Sequence, residues 1–288
     1  MSPGLPDIGK RIGMSLIAPR ADLETSVAAV RELGFDGMEV HIHQLGPGLP
    51  GVPVFEAHAE AAGNAIRRAG LVVSALNAVG DITFDPFHGP EALARTIDGL
   101  SAHLRWAKAM GAPRVLIWEG RIGDPQDVGA ACGTLARLIE AAIHRSGLEN
   151  PPSVSCELHP FTFALKHRAI APLASALRSV GAGICFDFCH FGVALGRDLL
   201  EVIDDDVLDA INHVHYANTD TKTSELHFPP NDGVLDLEAI GSRLKGKPIA
   251  ISWDLFGWPE PRHAARSQMA AYEAFVRRHA ASLGYAER

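Results

Sequence analysis

The sequence contains only 4 cysteines among 288 residues, and their spacing matches no disulfide framework. No apolar run approaches the ~20 residues that a membrane-spanning helix needs. The first residues also lack the charged and then apolar pattern of a signal peptide. We therefore expect a cytoplasmic protein with reduced thiols and no membrane partner.

Positive charge is also scarce. The sequence has 26 Lys and Arg against 34 Asp and Glu, which gives a formal net charge of −8. Nucleic-acid-binding surfaces usually carry clustered Lys and Arg, so this balance predicts no nucleic-acid partner and favours a small molecule. Low-complexity segments and Gly- and Ser-rich linkers are missing too, so nothing in the sequence indicates a second domain.

Short runs of Val, Ile, Leu and Met alternate with longer stretches of helical periodicity, as in repeated parallel strand-helix units. The 288 residues fit one eight-fold barrel, typically about 250 residues long. A GxGxxG motif after the first strand, typical of an open dinucleotide-binding sheet, is missing. We predict an α/β protein with one (β/α)8 TIM barrel domain over residues 1–288. Its predicted strands are Arg11–Ala18, Gly37–His43, Leu71–Asn77, Arg114–Glu119, Ser153–His159, Gly183–Phe188, Ile211–Asn218 and Pro248–Phe256.

Four residues that can bind a metal lie late in the last four predicted strands. They are Glu157, Asp187, His215 and Asp254, each about one strand-helix repeat from the next. The carboxyl ends of barrel strands meet at one rim, and the alternation of side chains along a strand lets all four point inward together. Carboxylates with an imidazole suit a divalent ion. We therefore predict a site for one divalent metal ion, with Mn, Mg, Co or Zn all plausible.

Five segments in chain order, VSCELHPFTF, CFDFCHF, NHVHYANTD, FPPNDGVLDLEAI and IAISWDLF, resemble the sugar phosphate isomerase/epimerase family of xylose-isomerase-like barrels. The resemblance implies that Glu157, Asp187, His215 and the residue at position 254 ligate the metal, with Mn the first expectation. Family members have Glu at that last position, where this chain has Asp254. The side chain of Asp254 is one methylene shorter than that of Glu. In ketose epimerases, the Glu at this position also transfers the proton of the reaction.

The resemblance implies further site residues. His190 matches a His that contacts substrate in ketose epimerases, and Lys222 takes the place of an Arg that follows the ligand of the seventh strand. Asn77 and Glu119 end the third and fourth strands, so they are candidates to line the substrate pocket. The resemblance also implies a homo-oligomer.

Such a site suits proton removal next to a carbonyl that a metal polarises, which gives an enediolate. Candidate proton carriers are Glu157, Asp254 and His159. The resemblance implies an isomerase or epimerase acting on a keto sugar or its phosphate. Two alternatives remain open at this stage. One is a dehydratase or lyase acting on a keto-cyclitol, a dehydroshikimate-like acid or a 3-keto-glycoside, and the other is a non-catalytic sugar-binding or partner subunit.

Overall fold

The computed structural model describes residues 12–14, 22–45, 56–79, 86–122, 124–196, 199–244 and 249–282. Within them, eight parallel strands follow one another in chain order and form a closed barrel. The strands are β1 Ile12–Met14, β2 Gly37–His41, β3 Val72–Asn77, β4 Arg114–Trp118, β5 Ser153–Glu157, β6 Gly183–Asp187, β7 Ile211–Tyr216 and β8 Ala250–Trp253. Because β1 pairs with both β2 and β8, the barrel is closed and the predicted TIM barrel is confirmed.

All eight predicted strands exist, but most are shorter than predicted. Residues 11 and 15–18 of the first prediction lie outside the described residues. Residue 248 of the last prediction also lies outside the described residues. The strand β3 ends at Asn77 as predicted, whereas β2 and β4 to β8 end one to three residues earlier than predicted. The chain turns into a 3-10 helix at Ile42–Gln44 after β2, and it enters a helix at Phe188 after β6. The predicted ends therefore included the residues that begin the rim loops.

Helices cover the outside of the barrel between the strands. They are α1 Leu23–Glu32, α2 Glu56–Arg68, α3 Pro90–Met110, α4 Val128–Ser146, α5 Phe163–Lys166, α6 Ile170–Ser179, α7 Phe188–Leu195, α8 Leu199–Val202, α9 Asp205–Ala210, α10 Leu237–Leu244 and α11 Pro261–Ser282. None of the helices in the described residues is long and apolar enough to cross a membrane.

The main core lies between the strands and these helices, and the alternation of side chains decides which residues enter it. Trp253 of β8 packs against Phe35 and Tyr272, and Tyr216 of β7 packs against Phe275. Trp253 and Tyr216 thus point outward to the helices, and the residues next to them along the same strands point into the barrel. His215 and Ser252 occupy such positions and are fully buried. This alternation is what directs the polar side chains of β7 and β8 toward one central site.

Candidate metal centre

The four predicted ligands meet at the carboxyl end of the barrel, and each is held by its own element. Glu157 and Asp187 are the last residues of β5 and β6, while His215 is the second-last residue of β7. Asp254 follows β8, and its Oδ1 accepts a hydrogen bond from the backbone N–H of Phe256 at 2.8 Å. One ligand atom from each of the four lies within 4.8 Å of the others, and all four residues are buried.

The imidazole of His215 is central to this cluster. Its Nδ1 lies 2.8 Å from Glu157 Oε1, 3.4 Å from Asp187 Oδ2 and 4.0 Å from Asp254 Oδ2. Its other nitrogen, Nε2, lies 3.2 Å from Oε2 of Glu39 on β2. The ring therefore presents Nδ1 to three carboxylates and uses Nε2 for a separate contact behind the site.

Glu39 forms the contacts that hold this ring in place. Its Oε2 also lies 3.0 Å from Nε2 of His213, and its Oε1 accepts a hydrogen bond of 2.7 Å from Nδ2 of Asn77. On the far side of His213, Nη1 of Arg114 lies 3.1 Å from Nδ1. Arginine only donates, so this Nδ1 accepts the bond and the Nε2–H of His213 donates to Glu39. Asn77, predicted to bind substrate, is thus brought to Glu39 behind the candidate ligands.

The predicted substrate contact His190 and the candidate proton carrier His159 lie side by side at the site. The rings of His159 and His190 stack with centroids 3.9 Å apart. Nε2 of His159 lies 3.8 Å from Glu157 Oε2, and Nδ1 of His190 lies 3.7 Å from Glu157 Oε1. Both ring nitrogens of His159 and Nδ1 of His190 are buried without a hydrogen-bond partner. These three atoms are therefore available to a bound molecule.

Sequence reasoning missed His227, which lies in the loop after β7. It is 1% exposed, and its Nδ1 lies 2.8 Å from Asp254 Oδ2 and 3.8 Å from Asp187 Oδ2. Its Nε2 lies 3.3 Å from Nε2 of His190. The segment between the third and fourth quoted motifs carries no periodic pattern, so a lone loop histidine gave no signal except its residue type.

The remaining two predicted residues have different environments. Glu119 is fully buried after β4, where its Oε1 accepts hydrogen bonds from Oγ1 of Thr162 and from the backbone N–H of Ala164. Burial raises the pKa of Glu119 to about 7, against the opposing effect of the Thr162 hydrogen bond. Lys222 is exposed on the loop after β7. Its backbone N–H donates to Oδ1 of Asp220 at 2.8 Å.

The electrostatics of the cluster fit a divalent cation. Burial opposes the charged form of His215, yet the carboxylates of Glu157 and Glu39 raise its pKa well above the ordinary value. Oδ2 of Asp187 is buried and accepts no hydrogen bond. Crowded buried carboxylates need a positive partner, and an oxygen-rich set with one imidazole is a donor set for Mn²⁺, Mg²⁺, Co²⁺ or Zn²⁺. The four candidate ligands therefore suit a divalent metal ion.

Two cysteine thiols also lie near the site. Cys185 groups with His213 and His215, and Cys189 with Asp187 and His227, in sets whose atoms lie within 4.8 Å. Without a bound ion, burial raises the pKa of both thiols and so favours their protonated form. The Cys189 thiol lies 3.6 Å from the carbonyl oxygen of Leu226.

Solved structures with the same fold include several proteins of related description. An L-ribulose 3-epimerase matches with a TM-score of 0.71 and 16% identity, covering 97% of this chain and 99% of its own. The IOLI protein with a binding zinc atom matches with a TM-score of 0.68 and 16% identity, covering 94% and 99%. The probable 3-DHS dehydratase AsbF of Bacillus anthracis, involved in petrobactin synthesis, matches with a TM-score of 0.66 and 15% identity, covering 91% and 98%.

Sequence comparison gives the family directly. No curated protein matches the sequence. The profile of the xylose isomerase-like TIM barrel matches residues 27–273, which is most of the chain. This protein therefore belongs to the xylose isomerase-like TIM barrel family.

Proposed function

We propose that this protein is a divalent-metal-dependent enzyme that removes a proton next to the carbonyl of a sugar-like substrate, as an isomerase or epimerase. One observation carries the proposal. Three buried carboxylates and Nδ1 of His215 converge at the carboxyl end of the barrel, with candidate ligand atoms within 4.8 Å of one another. That end of the barrel is where enzymes of this fold bind and convert their substrates.

Glu157, Asp187, His215 and Asp254 would hold the ion. When bound, a divalent ion supplies polarisation of a carbonyl and of an adjacent hydroxyl group. Mn²⁺ is our first expectation because oxygen ligands dominate the set, and Mg²⁺, Co²⁺ and Zn²⁺ fit the same donors. The site is buried, so the surrounding residues exclude bulk water from the reacting carbon.

We assign the proton transfer to two carboxylates of the cluster. Glu157 is the proposed proton acceptor, and its Oε2 has the ring of His159 within 3.8 Å. A carboxylate that takes a proton next to a carbonyl can return it to the neighbouring carbon, which isomerises the substrate. Return of a proton to the opposite face, which epimerises it, needs a second carrier. Asp254 belongs to the same cluster as Glu157 and is the proposed second carrier.

Elimination of water is a second candidate function because of His159. A departing hydroxyl group needs a proton donor beside the base, and His159 is buried with both ring nitrogens unpartnered. The environment of Asp254 favours elimination as well. Its Oδ1 accepts a hydrogen bond from Phe256 N–H and its Oδ2 lies 2.8 Å from His227. These contacts restrain the carboxylate, which makes it less suited to carry the second proton of an epimerisation. The substrate class would be a keto-cyclitol, a dehydroshikimate-like acid or a 3-keto-glycoside.

Metal content is the first test. Protein purified without added metal should carry about one divalent ion per chain by elemental mass spectrometry, and the Glu157→Ala/Asp187→Ala double variant should lose it. Glu140→Gln, an exposed carboxylate on α4, is the matched control and should keep the ion. Wild-type protein that holds no ion after Mn²⁺, Co²⁺ or Zn²⁺ is supplied would refute the proposal.

Exchange in deuterated water separates the two reactions. Ketoses such as D-fructose and D-tagatose should take up deuterium without losing water if the protein is an isomerase or epimerase. New aromatic absorbance from 3-dehydroshikimate, whose ring becomes aromatic when it loses water, would instead establish elimination, as would a new conjugated-enone absorbance from a 3-keto-glycoside with no epimer formed. Metal-loaded protein that catalyses neither exchange nor elimination with these substrates would favour the hypothesis of a non-catalytic sugar-binding or partner subunit.

A further inference from the structure

We infer that His227 is a positioning residue of the proposed site, which fixes the carboxylate of Asp254 and the ring of His190 together. The inference rests on the proposed function, because it assigns a role at the same metal and substrate site. His227 belongs to no predicted motif, and its importance follows from where the loop after β7 places it.

The fold holds this loop against the barrel rim at three places. Asn218 and Phe228 form a small antiparallel bridge with hydrogen bonds of 2.8 and 2.9 Å. The backbone N–H of His227 donates to the carbonyl of Phe256 at 2.9 Å. At Gly257, an added Cβ would lie 2.1 Å from the carbonyl oxygen of Glu225, so the loop after β8 passes directly against it. His227 is therefore fixed by main-chain contacts on both sides.

One nitrogen of His227 acts on Asp254. Nδ1 lies 2.8 Å from Oδ2, while Oδ1 accepts the N–H of Phe256 at 2.8 Å. Both oxygens of the carboxylate thus face a polar group of the protein: Phe256 N–H hydrogen-bonds to Oδ1, and the His227 ring is in close contact with Oδ2. The short side chain of Asp254 suits this arrangement. A Glu here would extend by one carbon–carbon bond, about 1.5 Å, toward the imidazole.

The other nitrogen of His227 acts on His190. The two Nε2 atoms are 3.3 Å apart, and the rings meet nearly edge to face with an interplanar angle of 77°. This contact occupies Nε2 of His190 and leaves Nδ1 directed toward Glu157 Oε1 and Asp187 Oδ1, at 3.7 and 4.0 Å. That Nδ1 is buried without a protein partner. A substrate hydroxyl can either donate to it or accept from it, so a ligand that carries a hydroxyl group suits this position.

The test is a double-mutant cycle between His227→Ala and Asp254→Glu, with Mn²⁺ and Co²⁺ themselves as the probes. His227→Ala should weaken Mn²⁺ binding by about 10- to 100-fold, the usual effect of removing a residue that orients a ligand. It should also change the visible absorption spectrum of bound Co²⁺, which reports the arrangement of ligands. Asp254→Glu alone should weaken binding because Glu meets the imidazole. The double variant should bind Mn²⁺ more tightly than either single variant, since the longer side chain fills the vacated space.

Two further variants keep the test sharp. His227→Gln retains a hydrogen-bonding group and should recover at least about tenfold of the affinity lost in His227→Ala. The control variant is His103→Gln, which changes a buried histidine of α3 far from His227 in the sequence. It should bind Mn²⁺ as the wild type does. Folded His227→Ala protein with unchanged Mn²⁺ affinity and Co²⁺ spectrum would overturn the inference, as would strictly additive effects in the cycle. In both cases the wild type still binds metal, whereas a wild type that binds none overturns the proposed function itself.

Discussion

The Glu39→Gln substitution should weaken Mn²⁺ binding because it removes the acceptor that holds His215 from behind. Oε1 of Glu39 accepts from Asn77 Nδ2, and Oε2 faces the Nε2 atoms of His213 and His215 at 3.0 and 3.2 Å. Asn77 cannot turn its amide around, since its Oδ1 accepts the N–H of Val79 at 3.0 Å. A Gln side chain therefore faces donors on both sides and has only one acceptor to offer.

The size of the effect follows from these contacts. In one orientation the new amide N–H₂ faces the imidazoles, and in the other it faces the N–H₂ of Asn77. His213 cannot adapt by moving its proton because Arg114 donates to its other nitrogen. Loss of a hydrogen bond to a charged group costs about 1.5–3 kcal/mol. Removing the partner of a metal-ligating histidine usually weakens metal binding by about 10- to 100-fold, or about 1.4–2.7 kcal/mol. The two ranges agree.

Titration of metal-free protein with Mn²⁺, followed by the signal of free Mn²⁺ in electron paramagnetic resonance, measures this loss. Urea unfolding of the same samples should show a destabilisation of about 1–3 kcal/mol. Asn77→Asp should rescue Glu39→Gln, because Asp accepts both from the Gln amide and from Val79 N–H. A Glu39→Gln variant with wild-type Mn²⁺ affinity and wild-type stability would refute the hydrogen-bond argument.

Three further predictions concern other residues. Burial raises the pKa of Glu119 to about 7, so the folded protein favours the neutral form of this carboxyl. As the pH rises from 4.5 through 7, the free energy of unfolding of the wild type should fall by about 3 kcal/mol relative to that of Glu119→Gln. Urea unfolding that shows the same pH dependence for both proteins would contradict this prediction. His159→Gln should keep deuterium exchange but lose elimination by at least about 100-fold, and equal loss of both would show that His159 serves proton removal as well. Gly183→Ala should destabilise by about 2–4 kcal/mol, because an added Cβ would lie 2.5 Å from the carbonyl oxygen of Ala210; an unchanged urea midpoint would show that β6 and β7 can separate there.

Much of the fold could be predicted because strand and helix periodicity is a local property of the sequence. Glycine also marks helix ends: Gly111, directly after α3, adopts the left-handed conformation with φ of 82°. The strand ends were harder because the apolar pattern continues past them. Phe188 extends the run of β6, but the side chain of Asp187 accepts the N–H of His190 and begins α7 at once. A candidate metal ligand thus also caps a helix.

The meeting of the four candidate ligands could be predicted because each belongs to a strand whose end and face follow from the barrel. The residues around them could not. Glu39 and His213 are 174 positions apart, and their contact depends on the closure of the barrel rather than on any local pattern. His227 lies in an irregular loop, where neither periodicity nor spacing assigns a direction to a side chain. Its position depends on contacts with Phe256 and Phe228 that only the folded chain provides.

The candidate ligands are distributed unevenly around the barrel. Glu157, Asp187, His215 and Asp254 all come from β5 to β8, whereas the first half contributes Glu39, which supports a ligand from behind. Loops that follow β1 to β4 can therefore change in length and composition during evolution without removing an ion ligand. A lineage with this architecture can acquire new substrates by altering one half of the molecule while the other half retains the inherited chemistry.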